Sequence, residues 1–322
     1  MPGCALSLST FSLMPYPEMT VLAREAEDAG FSGLFVPEAN NDGMMCCYLI
    51  AQATKRITVG TRIINIYQRA ATVCATGAMM IQEQSGGRFL LGLGVGHRLL
   101  LKPLGIEMGN ARDYLRQYMG LLTAVLNGQQ IPNLGYRFRV SPKRVPVYFA
   151  ALTLQSARFA GEVADGVMLY MCPPERMSRM KNAAREAAIK AGRDPMDLGV
   201  TMGLPVFLDD NLEAAYAAAR RDMAFYLGLH FYNRIWAQGG FEAQAKQALA
   251  AAERGDRAGV SAAMTDAMID AVALAGPASR CLERLAQYRS AGADLPVLVS
   301  HAVSGDYASA FRNSVKIFGK AN

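Results

Sequence analysis

The sequence predicts a (β/α)8 TIM barrel with a helical insertion between its seventh and eighth strands. Three observations carry that prediction. Short apolar runs alternate with longer amphipathic ones through all 322 residues. The apolar runs are nearly continuous, which suits a parallel sheet covered on both faces. No Gly/Ser-rich or Pro-rich linker divides the chain, so residues 1–322 read as one domain. Eight strand-then-helix units are what such a barrel needs.

The units follow in order. CALSLSTF (4–11) reads as the first strand, and Pro17 opens the helix PEMTVLAREAEDAG, closed by Gly30. GLFVPEA (33–39) and the helix GMMCCYLIAQAT form the second unit, ITVGTRIIN (57–65) and ATVCATGAMMIQEQS the third. RFLLGLGVG (88–96) precedes ARDYLRQYMGLLTAVLNG; after a polar connector, VPVYFAA (145–151) precedes LQSARFAGEVA. GVMLYM with PPERMSRMKNAAREAAIKAG is the sixth unit, LGVTMGLPVFL the seventh strand and LPVLVSH (295–301) the eighth. The surplus, about 211–277, is Ala-rich with helical periodicity and reads as inserted helices.

Hydrophobic content of 52% with 19% charged residues is enough for a large core. The net charge of +6 is scattered without a basic run, so nucleic acid is not an expected partner. The six cysteines form no C-x-x-C pair and read as buried thiols of a reducing cytoplasm. The stretch MPGCALSLSTF lacks the basic start and apolar core of a signal peptide, and no run approaches a membrane span. A cytoplasmic protein is expected.

Barrel chemistry sits at the carboxyl ends of the strands. One such end, SGGRFLLGLGVGHRLL, carries Gly92, Gly94 and Gly96 before His97. It fails the dinucleotide fingerprint, because the third glycine would fall on His97 or Leu99, and no Gly-Lys-Ser/Thr completes a P-loop. The only histidines, His97, His230 and His301, show no paired spacing, so no metal is expected. No G-x-S-x-G elbow supports a serine triad, and only Glu38 qualifies as a strand-end acid. What the mouth offers is small and amide groups: Ser7, Ser9, Asn40, Asn41, Asn65, His97, Ala150, Ala151 and Thr153. Such a set suits a cofactor whose own ring does the chemistry. In AALTLQSAR, a helix amino terminus can receive a phosphate or be capped by Thr153; both readings stand.

AEDAGFSGLFVPE, ITVGTRIINIYQR, QEQSGGRFLLGLGVGHR, PLGIEMGNARDYLRQYMGLL and VPVYFAALTLQSARFAGEVADGVML together resemble the luciferase-like monooxygenase family. EANND and NIYQR look most like its deazaflavin-dependent reductase branch, although the branch's histidine after the second strand is absent here. That absence argues against alcohol- and sugar-oxidising activities. The resemblance implies coenzyme F-420 or FMN as cofactor, reduced by a separate enzyme, and a homodimer acting on a small molecule. It implies a non-prolyl cis peptide within 61–64, placed at Arg62–Ile63. It implies cofactor contacts from Glu38, Asn40, Arg62, Ile63, Ile64, Asn65, Gly94, Val95, Gly96, Ala150, Ala151, Thr153, Gln155 and Ser156. His97 replaces the branch's usual acid, as proton donor or as a ring packed beside the cofactor. The expected activity is hydride transfer from reduced F-420, with FMN-dependent oxygenation or a non-catalytic ligand-binding barrel as alternatives.

Overall fold

The computed structural model describes residues 3–10 and 12–319. It is a closed barrel of parallel strands: β1 (Ala5–Ser7), β2 (Gly33–Val36), β3 (Thr58–Thr61) continued by β4 (Ile64–Asn65), β5 (Phe89–Gly94), β6 (Val147–Ala150), β7 (Gly166–Tyr170), β8 (Gly199–Leu208) and β10 (Leu295–Ser300). The ring closes twice over on β10, which pairs with β1 through Val297 and Leu6–Leu298 and with β8 through Val297–Gly203. A three-residue strand, β9 (Leu274–Gly276), adds to the end of β8.

Successive side chains of a strand face opposite sides, and here both sides are dry. In β2, Leu34 and Val36 pack outward under the helices while Phe35 points into the barrel with Ala5, Leu90, Met168 and Val297. This explains why the strands read as unbroken apolar runs.

The outer helices are α1 (Tyr16–Asp28), α2 (Gly43–Ala53), α3 (Ala71–Gln84), α4 (Arg98–Leu101), α5 (Ala111–Leu126), α6 (Leu154–Val163) and α7 (Pro174–Lys190). Between β8 and β9 come α8 (Leu212–Leu227), α9 (His230–Trp236), α10 (Glu242–Glu253), α11 (Arg257–Ala262) and α12 (Asp266–Val272); α13 (Ala278–Ser290) and α14 (Tyr307–Phe318) complete the ring. The five inserted helices pack around Met223, Leu227, Trp236 and Ile269, against Met171 and Phe207 of the barrel.

Three details depart from the sequence expectation. The first strand is shorter, ending at Ser7, and Phe11 lies outside the described residues. The third strand is interrupted at residues 62–63 rather than continuous. Both β9 and α4 were hidden in longer runs: β9 is too short for a period to show, and α4 is a single turn after glycine.

Candidate active site

The third strand breaks at the mouth at the Arg62–Ile63 peptide, which is cis, as the resemblance implied. The break is tied on both sides. Arg62 N–H donates to Val36 O at 2.7 Å, and Glu38 N–H to Ile63 O at 3.2 Å. Glu38 then accepts from the Asn65 N–H at 3.3 Å and pairs with Arg69 at 2.8 Å. Glu38 thus holds the bulge by its carboxylate. Asn40 is exposed and donates to Ser12 O at 3.0 Å.

Beyond the break, Ile63 leans over β5. A Cβ on Gly94 would lie 2.9 Å from Ile63 Cδ1 and 3.3 Å from Ala150 Cβ, so a bare backbone lets these three meet. Gly96 has φ of 66°, a region L side chains avoid, and turns the chain past the Asn65 amide. Ile63, Gly94 and Ala150 therefore form a small apolar cradle, with Asn65 and Gly96 at its edge. Val95 is half-buried against the main core, whereas Ile64 and Ala151 turn their side chains into that core and away from the mouth.

The α6 terminus carries both features that its sequence left open. Thr153 and Ser156 form a capping box: Ser156 N–H donates to Thr153 Oγ1 at 3.1 Å and Thr153 N–H to Ser156 Oγ at 3.0 Å. Those two N–H groups are spent, and the hydroxyl pair is engaged with itself. Leu154 and Gln155 are left to present first-turn N–H groups to an anion. Arg176, on α7, donates to Leu152 O at 3.1 Å, and its Nε is buried without a partner among the described residues. The sequence reading missed Arg176; a basic residue in the first turn after the sixth strand was the available signal.

His97 caps α4. Its Nδ1 accepts the Leu99 N–H at 3.2 Å, which leaves the ring hydrogen on Nε2. Nε2 is buried without a hydrogen-bond partner among the described residues. Burial, then the neighbouring His230, lowers the imidazole below the usual histidine value. His97 is accordingly neutral near neutral pH, with its ring 6.0 Å edge-on from Phe231 of α9.

The inserted helices close the other half of the mouth. Tyr226 of α8 stands 5.7 Å from Tyr170 at the end of β7, and Tyr232 of α9 stands 4.9 Å from Tyr226. His301, at the end of β10, bonds Asp222 of α8 at 2.9 Å and stacks on Phe207 at 4.6 Å. Burial would raise the Asp222 carboxyl, but His301 and Arg221 hold it below the ordinary range. All six cysteines are buried thiols outside any disulfide, and burial pushes the Cys46 thiol up to about 11, so it is no nucleophile.

The family model for luciferase-like monooxygenases matches residues 3–295. The chain belongs to this family. Among its relatives is the 5,10-methylenetetrahydromethanopterin reductase of Methanolobus tindarius, 26% identical over 97% of this chain and 98% of that one. The same barrel occurs in the coenzyme F-420-dependent tetrahydromethanopterin reductase of Methanopyrus kandleri (TM-score 0.79, 21% identity, 99% of each chain). It occurs also in the FMN-bound oxygenating constituent of the 3,6-diketocamphane monooxygenase of Pseudomonas putida (TM-score 0.69, 16% identity, 99% of this chain and 96% of that one). The luciferase-like barrel described above is an oxidoreductase scaffold, and its mouth is built from the segments that carried the resemblance.

Proposed function

We propose that the protein is a reductase that transfers hydride from reduced coenzyme F-420 to a small organic substrate at the barrel mouth. The observation that carries this reading is the meeting of Ile63, Gly94 and Ala150 at the end of the strand that leads into a neutral His97. Similarity to a methylenetetrahydromethanopterin reductase over nearly the whole chain supports it.

The cradle fits a flat ring, since bare Gly94 lets Ile63 and Ala150 close on β5 and offer the ring an apolar face. When bound, the reduced deazaflavin supplies the hydride. Ile63, Gly94 and Ala150 would rest against one ring face, with Asn65 and Gly96 at its rim. The Leu154 and Gln155 N–H groups, with Arg176, would receive the cofactor phosphate, beside the capping box of Thr153 and Ser156. His97 would donate an Nε2–H hydrogen bond to the substrate atom that gains charge, and water at the mouth would supply the proton that completes the reduction. A neutral imidazole suits hydrogen-bond donation better than full proton release.

FMN with oxygen is the second reading, because an isoalloxazine would rest on the same cradle and an FMN-bound monooxygenase shares the fold. The reduced cofactor would then come from a separate enzyme in either case. Anaerobic oxidation of reduced F-420, followed by absorbance against a panel of small carbonyl and unsaturated compounds, separates the two. Substrate-dependent oxidation is expected; turnover only with reduced FMN and oxygen selects the second reading.

The homodimer belongs to the same proposal. Helix α2 has no charged residue and α3 only Glu83, yet both lie on the outside with Met45, Val73 and Met80 exposed. A second copy covering this face would remove that apolar surface from water. A cytoplasmic location is supported by six buried thiols outside any disulfide. No helix among the described residues is long and apolar enough to cross a membrane.

A further inference from the structure

We propose that Arg62 forms an anion subsite in the barrel interior that selects substrates carrying a carboxylate. The inference rests on the proposed function only for where the cofactor ring lies.

Although Arg62 begins at the bulge, its side chain leaves the cradle and crosses the barrel. Nη2 donates to Leu169 O of β7 at 2.5 Å and Nη1 to Thr201 Oγ1 of β8 at 3.1 Å. The guanidinium carbon stands 5.9 Å from the centre of the Tyr170 ring. The backbone opposite is cut to fit: Nη2 sits where a Cβ on Gly203 would be, so β8 accommodates the cation only through that glycine.

The charge has no counter-ion among the described residues. Among the described residues Arg62 makes no ion pair, whereas Arg69 nearby pairs with both Glu38 at 2.8 Å and Asp42 at 2.9 Å. Its two hydrogen bonds use neutral oxygens, so neither offsets the charge. The surrounding groups, Tyr170 and Tyr232, are phenols that burial keeps protonated. Burial also pushes Arg62 down to about 10, which leaves it charged at neutral pH. A half-buried cation facing only neutral groups favours an anion beside it, and the guanidinium fork matches a carboxylate in two parallel bonds.

The direction of the side chain names the occupant. The ring cradle joins β3, β5 and β6, and the α6 terminus follows β6; Arg62 reaches instead to β7 and β8, beneath the inserted helices. The anion it meets lies on the substrate side and belongs to the substrate.

Benzoate and its neutral counterpart benzamide test this by calorimetry, without cofactor and with saturating oxidised F-420 or FMN. In both states benzoate should bind about tenfold or more tightly than benzamide. The preference should shrink to within about twofold in Arg62→Met and persist in part in Arg62→Lys. Equal affinity for the two probes in the parent overturns the proposal, as does an undiminished preference in Arg62→Met. Displacement of benzoate by cofactor also overturns it, since the cation would then serve the ring. Should Arg62→Met not fold, the parent ratio and Arg62→Lys decide. Because one arm contains no cofactor, failure of both cofactors to bind counts against the proposed function and leaves the anion subsite to its own result.

Discussion

His97 stands where two demands on one side chain meet. Its Nδ1 is committed to the Leu99 N–H, so only Nε2–H is available for chemistry. His97→Ala should lower the single-turnover rate at saturating reduced cofactor by about 10²-fold or more, with little change in cofactor affinity. Loosened cofactor binding with an intact chemical step would instead make His97 a packing residue. The pH dependence has a defined sign. The folded pKa lies below the unfolded value of about 6.5, so the unfolded chain binds more protons in the window beneath it. The contribution of neutral His97 is therefore present above that value and lost as pH falls, because a protonated Nδ1 cannot accept the Leu99 N–H. The rate should be level from about pH 7 to 8.5 and decline on acidification below about 6.5. A rate that climbs on acidification would assign the imidazolium an acid's role. His97→Glu should restore part of the rate and shift its pH dependence downward, since a carboxyl donates only when protonated.

Two element ends carry the cofactor reading. Asp is as good a helix cap as Thr, so Thr153→Asp should leave the melting temperature nearly unchanged. Its carboxylate would face the phosphate, and cofactor affinity should fall about tenfold; unchanged affinity by titration means that the phosphate lies elsewhere. Gly94→Val places branched carbons against Ile63 and Ala150, and should weaken cofactor binding by at least about tenfold at a stability cost of about 1–3 kcal/mol. The element scale also shows what the sequence could tell. The bounds of α1 and the end of β5 were legible, because Pro17, Gly30 and the glycines of β5 punctuate the chain locally. The direction of Arg62 was not, since its partners Leu169 and Thr201 lie 107 and 139 residues away. Nor was the spent state of the Thr153 and Ser156 N–H groups, which depends on a choice between capping and ligand that composition leaves open.

Over the whole molecule, the closed ring was legible because most strands are buried on both faces and so read as apolar runs. The inserted helices were less so. An Ala-rich stretch declares helices but not which side chains meet the strand ends, here Phe231 at His97 and Tyr226 at Tyr170. The uncharged face of α2 and α3 gives a prediction at this scale: Val73→Glu with Met80→Glu should convert dimers to monomers by sedimentation equilibrium, and a parent that is already monomeric removes the second copy from the account. The barrel mouth itself is tested most directly by titrating F-420 and FMN into purified protein and following absorbance and fluorescence, with Gly94→Val alongside. The account predicts a saturable one-to-one perturbation of the F-420 spectrum that Gly94→Val weakens by at least about tenfold. Unperturbed spectra for both cofactors at saturating protein would contradict it.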